Sequence, residues 1–324
     1  MDKNNPGNRE PMTKASVPLP PGAKCTRCRQ QAHIRLPQHH ALFCPDCFVH
    51  FFHSAVVRAM KKFAVDSTAP ILVAVSGGKD SLALWDVLHS LGYPTRGLHL
   101  SLGIEGFSEA SAEAISAFAR ERNLPWVRYS LEDAFGYSVD EIRRRTRRKI
   151  CSVCGLLKRQ ILNRFASREG SKVLATGHNL DDEAGRLLGN LMRHRTQYFE
   201  KQYPYLPSPH PMIPAKMKPL YRLDAVEILT YCSIRSIEPV GTKCPYSRGA
   251  TSHNFKEALD FLESRMPGTK RDFLFSYVNG RQSPSADADF GTCRQCLQPT
   301  YADLCSVCSL ANQLRDTAEQ AESE

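Results

Sequence analysis

No stretch of the 324-residue chain approaches the ~20 consecutive apolar residues that a membrane-spanning helix requires. Met1–Lys24 also lacks the apolar segment of a secretory leader. Membrane insertion and secretion are therefore not expected, and a cytoplasmic location is. In a reducing compartment the twelve cysteines predict metal ligation rather than disulfides. A composition 42% hydrophobic and 23% charged excludes a disordered or fibrous chain. The length suits one large domain with small appendages, or two domains. What is in excess is positive charge: 43 Lys and Arg against 33 Asp and Glu leave +10, which invites a polyanionic partner.

Between its outer cysteines the sequence alternates strand and helix. The runs Ile71–Val75, RGLHLSL around Leu98, WVRYSL around Val127 and Lys172–Thr176 are short and apolar or β-branched. Helical patterns follow them, as in SLALWDVLHSLG and LDDEAGRLLGNLMRH. Strands buried on both faces and separated by helices predict an α/β fold, a parallel doubly wound sheet with helices on each side. Ligands of such sheets bind beyond the carboxyl ends of the strands, so the loops after Val75, Leu100 and Thr176 should converge. Lys201–Pro219, with six prolines, reads as an ordered crossing loop or lid, not as helix or central strand.

The loop after the first strand, Ser76-Gly77-Gly78-Lys79-Asp80-Ser81, opens a helix and has the glycines that let backbone N–H groups close on an anion. It is not a Walker P-loop, because Val73 stands where the first glycine belongs and Asp80 where Ser or Thr belongs. At the end of the fourth strand, TGHNLDDEA brings Gly177, Asp181 and Asp182 to the start of another helix, where carboxylates favour the helix dipole. His99 ends the second strand.

Eleven cysteines fall into three groups. Cys25-x2-Cys28-x15-Cys44-x2-Cys47 and Cys293-x2-Cys296-x8-Cys305-x2-Cys308 have tetrahedral zinc spacing, each closing four thiolates on a structural ion. His33, His39 and His40 lie inside the first loop, but four Cys suffice. Cys151-x2-Cys154 opens a helical pattern from about Val153 that places Lys158 on the same face, and Cys244 is the third thiol without a quartet. Three thiolates can hold a 4Fe–4S cluster with one iron open, or serve as a persulfide and disulfide trio. Cys232, in AVEILTYC, reads as a small buried hydrophobe. Arg143, Arg144, Arg145, Arg147, Arg148 and Lys149 run straight into Cys151, and Arg193, His194 and Arg195 add a second basic group. Such a run beside a reactive site can grip a nucleic acid backbone.

SGGKDS after a strand resembles the PP-loop of the ATP pyrophosphatase superfamily. Together with TGHNLDDEA, CSVCGLLKRQILN, KPLYRLDAVEILTYC and CPYSRGATSH, all framed by two quartets, the chain is similar from Cys25 to Cys308 to tRNA 2-thiouridine sulfurtransferases of the TtuA type. That resemblance implies ATP, accompanied by Mg²⁺, held by Ala74, Ser76, Gly77, Gly78, Lys79, Asp80, Ser81, His99, Gly177 and Asp182. It implies a 4Fe–4S cluster on Cys151, Cys154 and Cys244, with Lys158 and Asp182 as catalytic residues. The expected reaction adenylates the 2-oxygen of a tRNA uridine, in the T-loop at position 54, and replaces it with sulfur. The expected donor is sulfide or a ubiquitin-like thiocarboxylate carrier protein, and the expected assembly a homodimer. Zinc ions are expected in both quartets, and the basic run 143–149 is expected to bind tRNA. Three other readings compete: wobble-uridine thiolation, persulfide chemistry without a cluster, and a zinc-ribbon RNA-binding protein without catalysis. The expected organisation is a tail to residue 24, a zinc module with linking helix over 25–66, a PP-loop domain over 67–288, a second zinc module over 289–312 and a tail over 313–324.

Overall fold

A computed structural model of the chain describes residues 19–199, 202–242, 244–247, 252–280 and 290–322. The expected tail therefore lies, for residues 1–18, outside the described residues, as do parts of CPYSRGATSH and of the segment before Cys293. The chain divides into two compact units, residues 1–51 and 52–324.

In the first unit, β1 (Ile34–Leu36) and β2 (Ala41–Phe43) pair antiparallel, Arg35 opposite Leu42. A 3-10 turn over Pro37–His39 joins them, and His40 at φ 48° takes the left-handed conformation that reverses the chain. Helix α1 (Pro45–Phe63) then begins on a proline, whose missing N–H is no loss at a helix start.

The second unit is built on β3 (Ile71–Ala74), α2 (Lys79–Ser90), β4 (Thr95–Ser101), α3 (Phe107–Glu121) and β5 (Trp126–Ser130). There follow α4 (Leu131–Phe135), α5 (Val139–Arg145), α6 (Ile150–Arg168), β6 (Val173–Thr176), α7 (Leu180–Leu191), β7 (Tyr205–Leu206) and β8 (Ala215–Met217). Helices α8 (Ala225–Ile234), α9 (Ser252–Arg265) and α10 (Thr269–Asn279) precede a small hairpin of β9 (Gly291–Thr292) and β10 (Pro299–Thr300), and α11 (Ser306–Glu322) follows it. The sheet has the order β5-β4-β3-β6-β8-β7 and is parallel except for the edge strand β7. Ala74 pairs with both Leu98 and Thr176, so the loops after β3, β4 and β6 leave the sheet side by side.

Trp85 of α2 is wholly buried against the sheet, and a Cβ on Gly97 of β4 would come within 2.6 Å of its ring. Only glycine lets helix and strand pack that closely. A second core joins Val153, Leu157 and Ile161 of α6 to Leu310 and Leu314 of α11 and to the buried Cys293, Cys305 and Cys308.

The Pro-rich segment departs from its expected character. Ala215–Met217 enters the sheet as an interior strand, parallel to β6 and antiparallel to β7. The four residues between Pro214 and Pro219 are free of proline, and the N–H groups of Ala215–Met217 suffice for the ladder.

Candidate active site

The nucleotide-type loop is tied to itself before any ligand arrives. Ser81 Oγ accepts the Ser76 N–H at 3.1 Å and donates to the Gly78 carbonyl at 3.0 Å. Gly77 lies at φ 76°, and a Cβ there would sit 3.0 Å from the Ser111 carbonyl oxygen of α3. Gly78 caps α2 without a side chain, so the first N–H groups of that helix stay available to an anion. Lys79 Nζ donates to Asp80 Oδ1 at 2.6 Å.

Gly177 follows β6 in direct contact with this loop. A Cβ on it would lie 2.8 Å from both the Asp80 carbonyl carbon and the Ser81 nitrogen. Two residues on, Asn179 begins α7. Its side chain accepts the Asp182 N–H at 3.0 Å while Asp182 Oδ2 accepts the Asn179 N–H at 3.1 Å, a reciprocal cap. The other end of the Asn179 amide donates to Asp80 Oδ1. Asp182 forms an ion pair with Lys256 of α9. Burial pushes the Asp182 carboxyl up, but Lys256 and His178 outweigh it and hold it below the usual carboxylate range. Its neighbour Asp181 does structural work, accepting the Ala225 N–H at 2.6 Å and pairing with the buried Lys270.

His99 at the end of β4 is 4% exposed, and its Nδ1 meets the Val75 carbonyl at 3.0 Å. A carbonyl only accepts, so Nδ1 carries the proton and Nε2 is left as a buried acceptor with no partner among the described residues. Burial lowers the pKa of this imidazole, and the charges of Arg128 and Lys158 lower it further, against the opposing Val75 carbonyl and Glu109. Lys158 acts in the same way on Cys154, pulling down a thiol pKa that burial, Cys244 and Cys151 raise. One ammonium thus acts on both the loop-side histidine and the thiol group. It is half-buried, and among the described residues no carboxylate pairs with it.

Helix α6 starts at Ile150, one turn earlier than expected, so Cys151 is already helical. Its thiol donates to the Tyr246 carbonyl at 2.9 Å, which brings it to the segment of Cys244. Cys154, Cys244 and Tyr246 pack against the same core. Among the described residues the three thiols do not gather within 4.8 Å of one another as those of the quartets do. Three cysteine thiols are the donor type that a 4Fe–4S cluster takes. Cys232 is 2% exposed, with its thiol 3.6 Å from the Lys79 carbonyl, a packing residue as expected.

Arg143, Arg144 and Arg145 end α5, and Arg147, Arg148 and Lys149 connect it to α6, all six exposed. Arg143 lies over the Tyr246 ring at 5.0 Å and Arg145 over the Tyr137 ring at 5.1 Å.

All twelve cysteines are free thiols. Cys25, Cys28, Cys44 and Cys47 converge within 4.8 Å, and so do Cys293, Cys296, Cys305 and Cys308. The second group is already built for thiolates: Cys293 Sγ accepts the Cys305 N–H at 3.3 Å, and Cys305 Sγ the Cys308 N–H at 3.4 Å. Burial raises the Cys293 pKa, yet backbone N–H groups of Cys305, Cys296 and Gln295 bring it to about 6. Cys25 reaches about 6 in the same way, against burial and through the N–H groups of Cys28, Cys44 and Arg27. Both donor sets fit a tetrahedral ion.

Three contributors escaped sequence reasoning. The Asn179 cap was legible as Asn followed three residues later by Asp. Lys256 and Lys218, the latter paired with the buried Glu183 at 2.7 Å, carry no motif.

Comparison with known proteins agrees with this geometry. Residues 52–238 match the PP-loop domain family, and residues 24–49 match the N-terminal LIM domain of 2-thiouridine synthetase TtuA. The tRNA-5-methyluridine(54) 2-sulfurtransferase of Thermus thermophilus is 40% identical over 88% of this chain and 90% of its own length. The protein of that name from Thermotoga maritima is 35% identical over 90% and 97%. Among solved structures, the U34-tRNA thiolase NcsA from Methanococcus maripaludis with its [4Fe-4S] cluster superposes with a TM-score of 0.78. It is 26% identical, covering 90% of this chain and 96% of that one.

Proposed function

The chain belongs to the PP-loop family that includes the tRNA 2-sulfurtransferases, and from that premise we propose that it thiolates the 2-position of a tRNA uridine at the expense of ATP. The observation that carries this reading is the position of Lys158. Its charge acts on His99 beneath the nucleotide loop and on Cys154 of the thiol trio, which supports phosphate chemistry and sulfur chemistry at one site. Identity to the two 5-methyluridine(54) enzymes exceeds that to the U34 thiolase, which favours the T-loop uridine as substrate.

In this reading the N–H groups of Ser76–Ser81 and the Lys79 ammonium hold the phosphates of ATP, carried with Mg²⁺. The uridine 2-oxygen attacks the α-phosphorus, pyrophosphate leaves, and a sulfur nucleophile then displaces AMP at C2. Ala74 and Gly177 keep side chains out of the nucleotide's path. Asn179 and Asp182 hold the carboxyl ends of β3 and β6 in register. Lys158 supplies positive charge where negative charge develops on the displaced group, or returns it a proton. Cys151, Cys154 and Cys244 are the residues that would hold a 4Fe–4S cluster, which supplies an iron with no protein ligand where sulfide can bind. Zinc in each quartet fixes the two modules. The exposed run from Arg143 to Lys149 grips the tRNA backbone beside the trio, in the cytoplasm.

Anaerobically purified protein is expected to contain iron, sulfide and zinc. With ATP, sulfide and tRNA it is expected to release AMP and pyrophosphate as 2-thiouridine forms. ADP as the sole nucleotide product overturns the adenylation. Full-rate thiolation by iron-free protein overturns the cluster and leaves the persulfide route.

A further inference from the structure

Arg164 stands on α6, the helix of Cys151, Cys154 and Lys158, but toward its other end. Its Nε and Nη2 are buried, and among the described residues neither has a hydrogen-bond partner. A buried cation with unpaired donors is costly unless a negative group faces it.

The surroundings name that group. The guanidinium lines a cavity of about 270 Å³ together with Cys308, Val307 and Ala311. Glu132 and Asp133 line the same cavity, but among the described residues the buried Nε and Nη2 of Arg164 bond to neither. They sit in the first turn of α4, where the helix itself favours carboxylates. Four thiolates on one Zn²⁺ keep a net negative charge, and sulfur ligands accept N–H donors. Cys293, Cys296 and Cys305 already accept backbone N–H groups, whereas among the described residues no backbone donor reaches Cys308 Sγ.

We propose that Arg164 is the outer-sphere partner of the zinc tetrathiolate of Cys293, Cys296, Cys305 and Cys308, its guanidinium neutralising the cluster of sulfurs from the side of α6. The inference rests on the zinc reading of that quartet. It makes the second zinc module a splint for the helix that carries the thiol trio and Lys158. The shared core of α6 and α11 provides the packing, and Arg164 provides the charge.

The test measures zinc rather than activity. Wild-type protein, Arg164→Met and Arg164→Lys are first analysed for zinc, then challenged with a chromophoric chelator. A Cys28→Ser background, which removes the first quartet, identifies the phase belonging to the second. In Arg164→Met the second quartet is expected to release zinc about tenfold faster or more, the scale on which outer-shell partners act. The first quartet keeps its wild-type rate, and Arg164→Lys falls between. Unchanged release in a fully loaded Arg164→Met protein overturns the proposal. Equal acceleration of both quartets also overturns it, since that reports general loosening. Wild-type protein without zinc in the second quartet instead overturns the zinc reading itself, and the inference with it.

Discussion

Asn179 Nδ2 donates to Asp80 Oδ1 at 2.9 Å, and Asp80 Oδ1 also accepts Lys79 Nζ at 2.6 Å. The residue that starts α7 is thereby bonded to the nucleotide loop of α2, ninety-nine positions earlier in the chain. Through the reciprocal cap the link continues to Asp182 and ends on Lys256 of α9. A row of side chains joins the loop, the carboxylate and a C-terminal helix.

Asn179 has two separable tasks, and two substitutions separate them. Asn179→Ala removes both and is expected to cost about 1 kcal/mol of stability as a lost helix cap. ATP affinity should also fall about tenfold, the scale of a hydrogen bond to a charged group. Asn179→Asp keeps a capping oxygen but faces Asp80 with a like charge, so stability should hold while ATP binding drops. Calorimetric titration with ATP and thermal unfolding check both; equal ATP affinity in all three proteins refutes the link.

Lys256 sets the protonation of Asp182. The carboxyl is held below its ordinary range by the ion pair, despite burial. Its stabilising contribution is therefore present above the unfolded carboxylate pKa of about 3.9 and is lost as pH falls through the lower folded value. Lys256→Met removes the main cation, so Asp182 protonates at higher pH. The acid limb of the thiolation pH profile and the acid-unfolding midpoint should both move upward. Lys256→Arg should restore them, and the alkaline limb should stay in place.

Gly177→Ala tests the closeness of β6 to the loop. The new Cβ meets backbone atoms of Asp80 and Ser81 at 2.8 Å, and backbone cannot rotate away as a flexible side chain can. A loss of about 1–3 kcal/mol in denaturant unfolding is expected, as for overpacking elsewhere. ATP binding should be lost with it. Gly155→Ala, whose Cβ would meet only the Arg159 side chain at 3.4 Å, should leave stability equal or higher.

The basic run can be weighed arginine by arginine. Arg143 and Arg145 already lean on Tyr246 and Tyr137, whereas among the described residues Arg147 and Arg148 have no ring or carboxylate partner and Arg144 acts on Glu141 without an ion pair. Replacing the latter three with Ala should weaken tRNA binding and flatten its dependence on salt, with ATP affinity unchanged. An unaltered salt slope makes the run a solvated surface.

The local grammar of this protein is written in neighbouring residues. A glycine loop between a β-branched strand and a helix, four thiols at ion spacing, and Cys151, Cys154 and Lys158 on one helical face all depend on short-range geometry. Period and spacing expose such features, because backbone dihedrals and helical pitch act over a few residues. The proline-flanked strand Ala215–Met217 escaped that grammar, since three residues carry no periodicity and only a neighbouring ladder makes them a strand. Lys256 against Asp182, the Asn179 amide on Asp80, His99 beneath Val75 and Arg164 beside Cys308 were decided by the tertiary structure alone. Each joins elements far apart in sequence, and each partner is chosen by burial. A charge removed from water must find whatever opposite group the packing of helices on the sheet brings near it, and no spacing rule encodes which one that is.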